Sequence, residues 1–116
     1  MRITHITIQT ADFEKEINFY EKYCRMTIQN DMRHMGRNIV FLSRSKGDTE
    51  IEIIENANAG YSGNDNMSIG LLSENLNELH ETLSSDGFQP TAIISPMPDV
   101  KFFFVKDPAG VNVQFM

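Results

Sequence analysis

Cysteine is nearly absent. A single Cys24 in 116 residues excludes an internal disulfide framework and a cysteine-rich zinc site. A reducing compartment is the expected setting. Long apolar runs are missing as well: no stretch approaches the roughly 20 residues that a membrane helix needs. The opening Met1-Arg2-Ile3-Thr4-His5 has no apolar signal region. A soluble, cytoplasmic protein without a membrane partner is expected. Basic residues are in deficit, with 10 Lys and Arg against 16 Asp and Glu, a net charge of −6. That argues against nucleic acid as a partner, which calls for a basic face. The overall acidic field favours cationic ligands and keeps a small domain soluble.

What is present is an ordinary globular composition, 41% apolar and 22% charged. The length predicts one domain over residues 1–116. Residues 2–9 alternate and are β-branched, which predicts a strand. Asp12 reads as a helix N-cap. Phe13, Ile17, Tyr20 and Cys24 follow at spacings of four, three and four, the apolar stripe of a helix. Residues 26–30 read as a short strand and 31–37 as a polar turn. Strands over 38–43 and 49–55 follow, joined at Lys46-Gly47-Asp48.

Residues 57–66 are rich in Gly, Asn and Ser and read as a linker. The order then starts again. A strand is predicted over 67–72, and a helix capped by Asn75 carries Leu76, Leu79 and Leu83 and closes near Gly87. A strand over 89–95 is expected to be broken by Pro96-Met97-Pro98. Strands over 101–106 and 111–115 flank the turn Asp107-Pro108-Ala109-Gly110. Each half reads strand, helix, strand, strand, strand. Asp12 and Asn75 lie 63 residues apart, and so do Ile39-Val40-Phe41-Leu42 and Phe102-Phe103-Phe104-Val105. Glu52 and Gln114 lie 62 apart. The expectation is an α+β fold of two modules, about 1–56 and 67–116.

Strand residues alternate faces. His5, Thr7 and Gln9 share one face of the first strand, and Glu50 and Glu52 share one face of the fourth. Ser68 and Gln114 hold the matching positions of the second module. Two readings stand side by side. The polar faces are simply solvated sheet surface, or they line a concavity in which His5, Glu52, Ser68 and Gln114 converge. Phe102, Phe103 and Phe104 cannot all face the core, so at least one is available as a pocket wall.

Several other residues carry a structural reading first. His34 lies in a polar turn with Arg33 and Arg37. His80 lies beside the leucine stripe of the second helix, and Cys24 completes the stripe of the first. Met97, between two prolines, is a candidate for a pocket or interface, and Tyr61 is either a linker aromatic without a role or one that closes over a ligand.

The opening Ile3-Thr4-His5-Ile6-Thr7-Ile8, the helix from Asp12 to Tyr20, and the run from Phe102 to Phe115 through Asp107-Pro108-Ala109-Gly110 resemble the vicinal oxygen chelate superfamily. That group contains glyoxalase I, extradiol dioxygenases, and the fosfomycin- and bleomycin-resistance proteins. The resemblance implies paired βαβββ modules and commonly a homodimer, with sites in many members built from both chains. It implies metal ligands at His5, Glu52, Ser68 and Gln114. His5 and Glu52 match glyoxalase I, whereas His and Glu are usual where Ser68 and Gln114 stand. Gln9 occupies a position where glyoxalase I tends to carry Arg for its thiol cofactor.

A hydroxyl is a poor ligand for Zn, Ni, Mn or Fe, and a neutral amide a weak one. Glyoxalase-type isomerisation needs a metal and a carboxylate base, and Gln114 cannot be that base. The expected function is therefore small-molecule binding in a concave sheet pocket with a degenerate metal site. The pocket residues expected are Thr7, Ser68, Phe102 and Phe104. The alternative is a lyase or isomerase, or a dioxygenase-like member. It would use a divalent metal on His5, Glu52 and Gln114, with Glu52 as catalytic base and water at the Ser68 gap.

Overall fold

The computed structural model describes residues 1–61, 63 and 65–116. Positions 62 and 64 of the expected linker lie outside the described residues. Two units emerge by contact, Met1–Tyr61 and Ser62–Met116. The first contains β1 (His5–Thr10), α1 (Phe13–Lys22), β2 (Thr27–Asp31), a 3-10 turn at Arg33–Met35, β3 (Ile39–Ser43) and β4 (Glu50–Glu55). The second contains β5 (Ile69–Leu71), α2 (Leu76–Ser85), β6 (Ile94–Met97), β7 (Val100–Lys106) and β8 (Asn112–Phe115).

The repeat survives in detail. Both helices have 10 residues, and their first residues, Phe13 and Leu76, stand 63 positions apart. Each unit folds as a four-stranded sheet, ordered β1-β4-β3-β2 and β5-β8-β7-β6. The strand before each helix runs parallel to the last strand of its unit, and the other pairings are antiparallel. Parallel pairing requires a crossover, and the helix with the two strands after it supplies that connection. The fold is α+β, two βαβββ modules, as the sequence pattern implies.

Alternation positions the faces. On β1 and β4, Ile8, Ile51 and Ile53 are buried, and α1 packs on β4 with Phe13, Ile17, Phe19 and Tyr20 buried. In the second unit Phe103, Val105, Val113 and Phe115 are buried with Leu83 of α2. Burying side chains of this size removes apolar surface worth about 1.5–3 kcal/mol each. His80 of α2 sets its ring edge-on against Phe103 at 5.0 Å and hydrogen-bonds the Thr91 carbonyl through Nε2 at 2.9 Å. It is a packing residue, as its place beside the leucine stripe suggests.

Two local expectations need correction. Asp12 occupies the N-cap position, but its side chain makes no capping bond. Instead Thr10 Oγ1 accepts the Asp12 N–H at 3.0 Å. Asn75 does cap α2: it accepts from the Glu78 N–H at 3.2 Å and donates to Glu78 Oε2 at 3.0 Å, a reciprocal arrangement that satisfies an orphan helix donor.

The strand expected over 89–95 forms at Ile94–Met97 instead, and Pro96 lies within it. Thr91 explains the shift. Its N–H reaches the Phe104 carbonyl at 2.8 Å, but its Oγ1, not its carbonyl, accepts the Phe104 N–H at 2.9 Å. The ladder is broken there and resumes out of register at Ile94. Proline is tolerated because β6 is an edge strand, where one side needs no donor.

Candidate functional site

In the first unit the outward face is built on the β1·β4·β3 ladder. Thr7 pairs with Glu52, and Glu52 pairs with Phe41. Thr7 Oγ1 donates to Glu52 Oε1 at 2.5 Å, and His5 Nε2 lies 3.6 Å from the same oxygen. The edge of the His5 ring meets Phe41 at 5.8 Å between centroids, and Thr4 Oγ1 lies 3.0 Å from Nδ1. The Glu52 side chain is 14% exposed and that of His5 44%. A mostly buried carboxylate is thus satisfied by a hydroxyl, with an imidazole in reach. Gln9, on the same face, accepts from Asn56 Nδ2 at 2.8 Å.

The second unit repeats the register with different chemistry. Gly70 pairs with Gln114, and Gln114 pairs with Phe104. Glycine replaces the Thr7 hydroxyl and an amide replaces the Glu52 carboxylate. A Cβ at Gly70 would stand 3.3 Å from Met116 Cε and 4.0 Å from Gln114 Oε1, so the absent side chain makes room for those two ends. Ser68, expected within a strand, lies just before β5.

A cavity of about 500 Å3 opens on this unit, with Ser68, Gln89, Thr91, Phe104, Lys106 and Asn112 among its lining residues. Cavities of this order accommodate small organic ligands. Phe104 is half-buried and meets Phe102 edge to face at 5.8 Å. Of the expected pocket residues, Ser68 and Phe104 line this cavity. Phe102 touches Phe104 without being among the lining residues, and Thr7 belongs to the first unit.

A divalent metal can be tested against these donors. Among the described residues, no three His, Cys, Asp or Glu side chains gather. The first unit offers one imidazole and one carboxylate, whose Oε1 already accepts from Thr7. The second offers an amide and a hydroxyl at the matched positions. Tight divalent sites use three or four good ligands, so this donor set does not fit one.

Some residues escaped sequence reasoning. Glu16 is fully buried on α1. The signals were its spacing of three from Phe13 and its match, 63 residues on, to Leu79. Lys106 and Asn112, opposite each other on β7 and β8, share the alternation that carries Phe104 and Gln114. Asp65 pairs with the Lys106 ammonium from the segment before β5. That partnership had no sequence signal.

The sequence matches the family model of the Glyoxalase/Bleomycin resistance protein/Dioxygenase superfamily over residues 2–115. The chain belongs to that superfamily. Comparison with curated proteins gives no match. Among solved structures, the trypanothione-dependent glyoxalase I of Leishmania major is similar at 21% identity and a TM-score of 0.77, covering 100% of this chain and 86% of that one. A possible glyoxalase from Bacillus cereus is 20% identical, with a TM-score of 0.72 and coverage of 100% and 98%. An antibiotic-binding protein from Streptomyces sp. CB03234 is 14% identical, with a TM-score of 0.74 and coverage of 99% and 93%. These likenesses show the fold.

Proposed function

We propose that this chain binds a small organic molecule in a concave sheet pocket and carries a degenerate metal site. One observation carries the reading. Where the first unit has Thr7 against Glu52, the second has Gly70 against Gln114 in the same register. The register is kept while a carboxylate in the first unit corresponds to a neutral amide in the second, a weaker metal ligand, which supports a degenerate site. The cavity beside Phe104 supplies what a ligand site needs instead: an aromatic wall and several polar groups. The likeness to an antibiotic-binding protein accords with this reading.

The test is a metal titration beside a ligand screen. The chelator-stripped, untagged protein is titrated with Ni, Zn, Mn and Fe(II), with His5→Ala as control, and screened for thermal stabilisation by small organic compounds. Weak metal binding with ligand stabilisation supports the proposal. Near-stoichiometric metal binding that disappears in His5→Ala overturns it. A second reading, a metal-dependent lyase or isomerase, would then stand on the 3.6 Å approach of His5 to Glu52.

We also propose that the protein works as a cytoplasmic homodimer. Support comes from the apolar side chains left outside: Leu72 is 84% exposed and Met67 75%. Light scattering at micromolar concentration should give twice the chain mass. A monomer would refute the dimer.

A further inference from the structure

We propose that the cavity of the second unit is a site for a small organic anion, a carboxylate on an apolar or aromatic body. Lys106 is its charge partner, and Asp65 is the internal group it displaces. This rests on the binding reading above and specifies the ligand class.

The repeat supplies the comparison. On the first unit's outward face the β4 positions are two carboxylates, Glu50 and Glu52. Their counterparts on β8, each 62 residues later, are the neutral amides Asn112 and Gln114. The end of β3 is Ser43, buried, with its hydroxyl donating to the Ser45 carbonyl at 2.8 Å. Its counterpart 63 residues later, at the end of β7, is Lys106. On this face the two β4 acids correspond to amides and Ser43 to a lysine, while the imidazole of His5 corresponds to Ser68. That difference runs against the net charge of −6 of the whole chain. A cationic ligand would have been served by keeping the acids.

The present partner of Lys106 is Asp65, and the two differ in setting. The Asp65 side chain is 79% exposed and that of Lys106 31%. Asp65 loses little when it swings into water, because an exposed ion pair is worth only about 0.2–1 kcal/mol. The ammonium stays at the cavity wall, where an incoming carboxylate gains a charge-assisted bond. Gln89 and Asn112 line the same cavity, and each carries an amide able to donate. Thr91 Oγ1 accepts the Phe104 N–H at 2.9 Å, which leaves its O–H to donate. Phe104 offers a ring face or edge to the body of the ligand.

The experiment uses the full chain and matched probes: benzoate, 2-naphthoate and indole-3-acetate against the corresponding aryl alcohols. Binding is followed by calorimetry and by amide chemical shifts. The carboxylates should bind several-fold more tightly than the alcohols, because the charge-assisted bond gained at Lys106 is offset in part by the Asp65 pair it displaces. The largest shifts should fall around Phe104 and Lys106. Lys106→Gln should remove the preference. Asp65→Asn should tighten carboxylate binding about threefold and leave the alcohols unchanged. Equal affinities with shifts at Phe104 would overturn the anion assignment while the binding reading stands. A preference that survives Lys106→Gln, or carboxylate binding weakened by Asp65→Asn, would also overturn it. Probes of neither kind shifting the Phe104 region would end both.

Discussion

The Thr7 hydroxyl and the Glu52 carboxylate meet across the parallel β1·β4 pair at 2.5 Å, in direct register. The bond joins the strand before the helix to the last strand of its unit, so it ties the two ends of the module together. Thr7→Val keeps the shape and deletes the donor. The acceptor is charged but partly solvated, so the loss should be about 1 kcal/mol of stability by urea unfolding. A variant as stable as the parent would mean that water replaces the hydroxyl without cost.

Asp107 is the more severe position. Its side chain is buried, and Oδ1 accepts the N–H groups of Ala109 and Val111, each at 2.9 Å. The turn between β7 and β8 thus closes around one oxygen. Asp107→Ala leaves two backbone donors without it and should cost about 2–4 kcal/mol. Thermal unfolding of Asp107→Ala and Asp107→Asn will check this. The amide oxygen can accept the same bonds, so Asn should recover part of the loss.

Asp31 should titrate far below an ordinary carboxylate. The Arg33 guanidinium makes three hydrogen bonds to its two oxygens, and the Arg33 backbone N–H adds a fourth, lowering the pKa from 3.8 to about 2. A depressed pKa contributes stability that is present above the unfolded value and lost as pH falls through the folded one. The window therefore lies between about pH 4 and pH 2. Solvent screens this exposed pair, so the contribution to unfolding should be small. Carboxyl NMR titration should find Asp31 near 2 in the parent and higher in Arg33→Gln, short of 3.8 because the backbone N–H of residue 33 still donates. The same value in both would show that Arg33 is not the cause.

Arg25 holds a left-handed backbone, φ 54°, just past the end of α1. Past the C-cap of α2, Gly87 takes a positive φ of 94°. A side chain in that region pays a steric cost that glycine avoids. Arg25 is exposed, so little packing is lost on truncation. Arg25→Gly should raise stability by about 0.5–1 kcal/mol in denaturant melts. Arg25→Val should lower it.

Most of the fold was legible in the sequence because periodicity survives wherever one side of an element is buried. Phe13, Ile17 and Tyr20 announced α1, and the 63-residue offset to Leu76 announced its copy. The β6 edge was not legible, since it depends on a Thr91 side chain taking the place of a carbonyl. No periodicity encodes such a substitution. Within the site, alternation found His5, Thr7 and Glu52 on one face. It did not find the Lys106 to Asp65 pair, because that contact spans 41 positions between a strand and a turn. Glu16 was hidden for the opposite reason: its charge suggested water, while its spacing put it inside.

The shared register of Thr7 with Glu52 and of Gly70 with Gln114 has a consequence for how such a protein changes over time. Inward positions keep each ladder folded, and outward ones are where the two units differ in polar groups. A substitution on one outward face need not disturb the backbone pairing of the other. The chain therefore holds two drafts of one surface. One can change while the other stays as it is, and backbone pairing enforces no agreement between them.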